Sequence, residues 1–205
     1  LRVRILPPPL AKIINHSVTN SKIEVAGLLL GKEEGDLVEI WDAVTGTQVG
    51  SSGFVMLNEE VMARVAEYLH TYKIPLYIVG WYHSHPSLGV FLSPIDIRTQ
   101  LSYQKLYPKA VALVIDPAKY LEIKKVTEEV FKVFQVGGDG RVVEIPVTFG
   151  AGRRKLLEST LISLSTTAIF SDAAVVKEEV GGNPFRILGG LISHGRSKTG
   201  EKRHE

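Results

Sequence analysis

The stretch WYHSHPSLGVFLSPID, residues 81–96, places His83 and His85 one residue apart and follows them with Ser93 and Asp96. Alternate residues of an extended strand share a face, so both imidazoles can point at one spot while Ser84 faces the other way. Two neutral imidazoles and one carboxylate form a three-ligand set with a fourth position open. That is the catalytic rather than the structural arrangement for zinc. A zinc ion held there would bring the pKa of water toward about 7 and polarise a carbonyl. The chain has no cysteine, which excludes thiolate ligands and disulfides and leaves His, Asp and Glu to hold any metal. A purely local reading competes. Ser93-Pro94-Ile95-Asp96 is also a capping-box start, with serine at the N-cap, proline at the first helical position and aspartate three residues after the serine. The two readings are compatible, because a helix that begins just beyond a strand end can turn Asp96 back toward the histidines.

The elements that must position these residues are legible in outline. Prolines 7–9 open a helix with Leu10, Ile13 and Ile14 at helical spacing. EVAGLLLG (24–31) reads as a buried strand, KEEGDL (32–37) as a turn and VEIWDAV (38–44) as the returning strand of a hairpin. GFVML (53–57) reads as another strand. Asn58 resembles an N-cap for an amphipathic helix that runs to about Thr71, with Val61, Met62, Val65, Tyr68 and Leu69 on its stripe. PLYIVGWYHSH (75–85) is an extended, buried segment that stops at Pro86, and Ser93 and Pro94 open the next helix. KAVALVID (109–116), VFKVFQVG (130–137) and RVVEIPV (141–147) supply further strands, the last two joined by a GGDG turn. Without a regular alternation of strand and helix, the expectation is an α+β fold, an α/β sandwich around a mostly antiparallel central sheet flanked by helices. Beyond Gly150, Leu157, Leu161, Leu164 and Ala168 follow helical spacing, and DAAVVKEEV (172–180) reads as a second helical piece. The apolar residues outside the sheet domain suit packing on that domain or, in the sharper reading, a dimerisation or assembly surface.

Composition narrows the function classes. The 205 residues suggest one main domain, and a net charge of +2 gives no clustered basic footprint for nucleic acid. No apolar run approaches the roughly 18 residues of a membrane span, and the first ten residues lack a signal-peptide core. With so few thermolabile side chains, the expectation is a heat-adapted cytoplasmic protein. The pair Gly27 and Gly31 before Lys32 lacks the spacing and the Ser or Thr of a phosphate loop. His16, His70, His194 and His204 read as bystanders, with His70 placed as a helix-end cation.

His83-x-His85-x7-Ser93-x2-Asp96 resembles the signature of the JAMM metalloproteases, also called MPN-plus domains. The segment from Val79 to Tyr103 looks most like the proteasome-lid deubiquitinating branch and its archaeal relatives. KIEVAGLLLG (22–31) resembles the family's early catalytic element, which would make Glu24 its glutamate. The resemblance covers about residues 5 to 146. It implies an MPN/JAMM catalytic domain over 5–148; the helical spacing beyond it suggests a helical C-terminal extension over 149–190, and the polar, charge-rich end GRSKTGEKRHE reads as a flexible tail over 191–205. The resemblance also implies one catalytic zinc on His83, His85 and Asp96. Glu24 would serve as general acid and base, and Ser93 would donate to the oxyanion. Substrates would be ubiquitin or ubiquitin-like proteins and their conjugates, cut after a C-terminal Gly-Gly, with proteasome association. Segments 49–57 and 86–92 would contact that substrate, with Met56, Leu88 and Phe91 as contacts. Leu88 and Phe91 stand where bulkier aromatic residues occur in the lid branch, and Pro94 replaces a small residue. Processing of another Gly-Gly carrier, such as a sulfur-carrier protein, and a non-catalytic MPN scaffold are the rival readings.

Overall fold

The computed structural model describes residues 1–45 and 59–170. The expected strand at 53–57, the Asn58 cap, Met56 and the chain beyond Phe170 lie outside the described residues. The elements in chain order are β1 Arg2–Ile5, α1 Pro7–Thr19, β2 Ala26–Glu34, β3 Leu37–Thr45, α2 Glu59–Thr71, β4 Tyr77–Ser84 and α3 Pro94–Leu106. They continue with β5 Val111–Ile115, α4 Pro117–Ile123, β6 Phe131–Val136, β7 Val142–Glu144, β8 Val147–Phe149 and α5 Arg153–Phe170. The fold is α+β, as expected. Its sheet is mixed: β2 pairs antiparallel with β3 and β4, as do β5 with β6 and β6 with β7, while β1–β3, β1–β8 and β4–β5 are parallel.

The strand order is β7-β6-β5-β4-β2-β3-β1-β8, so two strands consecutive in sequence lie at opposite ends of the sheet. Only Ile145 and Pro146 separate them. The Ile145 amide still donates to Val133 of β6, at 2.8 Å, and the Pro146 carbonyl already accepts from Val3 of β1, at 3.0 Å. The sheet therefore curls until one extended run bridges its two edges. RVVEIPV is not the single strand its pattern predicts: it changes partner at a proline, which has no N–H to give a ladder.

Two further local expectations change. Lys32–Glu34 belong to β2 rather than to the turn, which shrinks to Gly35 and Asp36. Gly27 and Gly31, the spaced pair in β2, answer to packing. A Cβ at Gly27 would lie 2.3 Å from the Val44 carbonyl oxygen and from the Tyr82 ring, and one at Gly31 would lie 2.0 Å from the Glu39 carbonyl oxygen.

Alternation along the strands divides the interior. Val3, Ile5, Leu29, Ile40, Tyr82, Leu113, Val133 and Ile145 form one buried set, joined by Ile13 of α1. Leu28, Leu30, Trp41, Trp81, Ala112 and Val114 form the other, covered by residues of α2, α3 and α5.

The C-terminal helix does not pack on the domain through its leucine stripe. Leu157, Leu161 and Leu164 are exposed, and α5 buries Ser159, Ser163, Thr166 and Phe170 instead. Small polar side chains let the helix lie close over β3 and bond to it. The Ser159 hydroxyl donates to the Trp41 carbonyl (2.6 Å), and Lys155 pairs with Glu39 (2.8 Å). Lys12 of α1 reaches across to Asp42 (2.9 Å), Thr166 (2.9 Å) and the Ser163 carbonyl (3.2 Å). Thr166 also donates to Asp42. Burial lowers the Lys12 pKa, and the Asp42 carboxylate opposes that shift. Asp42→Ala is expected to cost about 3–5 kcal/mol in a urea titration, because it strands an ammonium whose partner is gone. A loss below about 1 kcal/mol would mean that Lys12 finds water instead.

Candidate metal centre

β4 ends at Ser84, and the Ser84 side chain turns away from the histidines, as alternation requires. His85 continues the strand path for one more residue, its amide donating to the Ile115 carbonyl at 2.8 Å. That bond fixes the backbone on which the second imidazole depends. His83 and His85 are both buried, and their Nε2 atoms lie 3.0 Å apart. Asp96 arrives from the first turn of α3. Its Oδ1 is 3.4 Å from His83 Nε2 and its Oδ2 is 3.5 Å from His85 Nε2. These three residues are the group of potential metal ligands among the described residues.

The capping box forms as well. The Ser93 amide donates to Asp96 Oδ2 at 2.7 Å, and the Asp96 amide donates to the Ser93 hydroxyl oxygen at 3.3 Å. The cap is what aims the carboxylate, so the local and the metal readings describe one geometry.

The ligand spacing fits zinc. Four ligands arranged tetrahedrally at about 2.0–2.1 Å stand about 3.3 Å from one another, close to the 3.0, 3.4 and 3.5 Å separations here. The electrostatics agree. Burial lowers the His83 pKa, outweighing the raising influence of Asp96, so the imidazole is neutral and able to donate a lone pair. For Asp96, burial alone would raise the pKa, but the two imidazoles and the Ser93 side chain together hold the carboxyl well below its ordinary range.

A histidine that binds metal ordinarily gives its other ring nitrogen to a hydrogen-bond acceptor. Here both Nδ1 atoms are buried and lack a partner among the described residues. Ring packing orients them instead. Trp81 stacks on His83 (centroids 4.6 Å apart, planes 11° apart), and Phe91 leans on His85 at 4.9 Å. The Trp81 indole N–H donates to Gln100 at 2.9 Å, and Gln100, four residues after Asp96 on α3, donates to the Ala110 carbonyl at 2.7 Å. Gln100 thus ties the strand of the histidines to the helix of the aspartate. Sequence reasoning passed over it, although a glutamine on the helix row of Asp96 was a signal available to it. Gln100→Leu is expected to cost about 1–3 kcal/mol by orphaning the indole N–H. It is also expected to weaken zinc binding roughly tenfold, as loss of outer-shell support does. Urea unfolding and metal competition read the two effects.

Glu24 is half-buried, two residues before Ala26, which pairs with His83 across β2 and β4. Burial lowers the His83 pKa, and the charge of Glu24 is near enough to be among the influences that oppose that shift. Ser84, facing the other way, contributes through the backbone: its hydroxyl accepts from the Val25 amide at 2.9 Å, and its amide donates to the Val25 carbonyl at 2.8 Å. The residue next to Glu24 is therefore pinned to the residue between the two histidines. Leu88 and Phe91 are 60% and 47% exposed on the loop that leaves His85. Of the expected contacts, only Met56 lies outside the described residues.

The chain is similar to known proteins over much of its length. Residues 1–109 match the family described as JAB1/Mov34/MPN/PAD-1 ubiquitin protease. COP9 signalosome complex subunit 5a of Arabidopsis thaliana is 34% identical over 139 residues, covering 66% of this chain and 39% of that protein. The 26S proteasome regulatory subunit rpn11 of Schizosaccharomyces pombe is 36% identical over 121 residues (58% and 39%). Ubiquitin carboxyl-terminal hydrolase RPN11 of Saccharomyces cerevisiae is 34% identical over 130 residues (62% and 42%). The matched region thus spans about two fifths of the length of these relatives. A solution structure of a Desulfitobacterium hafniense protein shares the fold, with a TM-score of 0.58 at 19% identity over 73% of this chain and 94% of that one. No helix among the described residues is long and apolar enough to cross a membrane.

Proposed function

Because the chain belongs to the JAB1/Mov34/MPN/PAD-1 ubiquitin protease family, we propose that it is a zinc-dependent isopeptidase. It releases ubiquitin or a ubiquitin-like protein from conjugates by cleavage after the C-terminal Gly-Gly. One observation carries the reading: two buried imidazoles and a cap-aimed carboxylate converge at tetrahedral spacing, with the charge of Glu24 near enough to act on His83.

His83, His85 and Asp96 hold the metal. Zinc bound there supplies a Lewis acid for the scissile carbonyl and lowers the pKa of water. Glu24 takes the proton of the attacking water and returns it to the departing lysine amine, a role worth about 10²–10⁴-fold. The Ser93 oxygen accepts from the Asp96 amide, which fixes the hydroxyl and leaves its proton to donate to the developing oxyanion. Leu88 and Phe91 face the substrate. An extended Gly-Gly tail is narrow enough for strand-like backbone pairing beside such a site. The relatives named for the proteasome and the COP9 signalosome support a role within a larger assembly, with the proteasome first.

The test is cleavage of isopeptide-linked diubiquitin and of ubiquitin-like conjugates by the zinc-loaded chain. Activity is expected to vanish on chelation and to return with zinc. A Gly-Gly sulfur-carrier fusion, run beside them, separates the substrate classes. Full zinc occupancy with every substrate left intact would overturn the isopeptidase reading in favour of a scaffold.

A further inference from the structure

Asp116, at the end of β5, is a buried carboxylate that the proposed chemistry does not use. It lies at the N-cap of α4, a position that explains two of its bonds: Oδ1 accepts from the amides of Ala118 (3.0 Å) and Lys119 (3.2 Å). The other two bonds have no part in the cap. Oδ1 also accepts from the Ser87 amide at 3.0 Å, and Oδ2 accepts from the Gly89 amide at 3.1 Å. Both donors belong to the loop between His85 and Ser93.

The residue between those donors is Leu88. Its own amide donates back to the His85 carbonyl at 3.2 Å, so three successive amides of the loop are held. Ser87 sits in the left-handed region, at φ 61°. That conformation is unfavourable for a residue with a Cβ, and the bond from its amide to Asp116 helps hold it. Loops that expose a single leucine are ordinary. This one keeps Leu88 60% exposed while its backbone is tied down on both sides, and a few residues on Phe91 rests on His85.

We infer that Asp116 is a positioning residue that clamps the 86–92 loop and holds Leu88 as a rigid apolar knob toward the substrate. This rests on the isopeptidase reading for the identity of the substrate, but not for the clamp. A preordered contact lowers the ordering cost of binding, so its loss weakens KM more than kcat.

Asp116→Asn separates the two jobs of the carboxylate. Asparagine is as good an N-cap as aspartate, so its oxygen retains Ala118, Lys119 and Ser87 while its NH2 opposes the Gly89 amide. In the zinc-loaded full chain, hydrogen exchange at Gly89 is expected to accelerate about tenfold or more, as loss of a hydrogen bond to a charged acceptor implies. Zinc stoichiometry and the unfolding midpoint should hold. On isopeptide-linked diubiquitin, KM should rise about tenfold with kcat within about threefold, the pattern of lost uniform binding. Leu88→Ala should reproduce the KM change with Gly89 exchange unaltered. Unchanged exchange in Asp116→Asn overturns the clamp, whether or not the wild type cleaves the conjugate. Faster exchange with KM unchanged, or a fall confined to kcat, overturns the substrate-facing role. A wild type that leaves every conjugate intact overturns the proposed function and the substrate half of this inference with it, while the exchange result still decides the clamp.

Discussion

Glu24→Gln is expected to lower kcat by about 10²–10⁴-fold while zinc stoichiometry and thermal stability stay at wild-type values. Glutamine keeps the size of the side chain and an acceptor oxygen, but it cannot take a proton from water or return one to an amine. Glu24 precedes β2, and its neighbour Val25 is bonded to Ser84 through both amide groups and the serine hydroxyl, so its backbone cannot drift when the side chain changes. The substitution also removes a negative charge beside His83 and with it one influence that raises that imidazole's pKa. The three ligand side chains are untouched by the change, which is why zinc should be retained. The comparison is single-turnover cleavage of diubiquitin by metal-verified protein. Equal rates for the two proteins would dismiss Glu24 as the base.

Asp96→Asn should abolish tight zinc binding without unfolding the helix that carries it. Even outer-shell substitutions at zinc sites cost about 10–100-fold in affinity, so loss of an anionic ligand should cost at least 100-fold or so. The helix has a separate defence. The 2.7 Å bond from the Ser93 amide needs only an acceptor oxygen, and asparagine provides one. Ser93→Ala gives the contrasting result. It removes the N-cap acceptor and is expected to cost about 1 kcal/mol of stability while the three ligands stay in place. Metal competition with a chelating dye, together with thermal unfolding, distinguishes the two. Wild-type zinc affinity in Asp96→Asn would mean that the ligand set is wrong.

The site was legible in the sequence because it is built from local rules. Residues two apart on a strand share a face, and a Ser-Pro-x-Asp start dictates where a helix begins and which way its third side chain turns. Both rules act within sixteen residues, so His83, His85, Ser93 and Asp96 could be named from their order alone. The MPN-type resemblance added Glu24, which no spacing rule connects to residues 83–96. Two elements went unseen for the same reason. β1 is four residues long with an alternating pattern, and α4 is seven residues long behind an Asp-Pro start. Each is too short for periodicity to register, although the Asp-Pro start was a readable cap signal.

What the sequence determined, then, was the make-up of the candidate site: two histidines and an aspartate, their order, and the cap that aims the aspartate. Only the tertiary structure decided which distant groups hold that chemistry in place. The run 142–149 alternates like one strand, and only closure of the curled sheet gives its two halves different partners. The leucines of α5 follow a helical stripe suited either to packing on the domain or to an assembly surface. Yet α5 docks through serines and threonines, because Asp42, Glu39 and the Trp41 carbonyl on β3 required polar partners. Asp116 reads locally as a helix cap and nothing more. Its second role exists because β4 and β5 run side by side, which sets the end of one strand against the loop that leaves the other. Spacing along the chain specifies groups on the same element. Hydrogen-bond demand between elements is settled only once they are packed, since a buried polar group takes whichever partner the fold brings within reach.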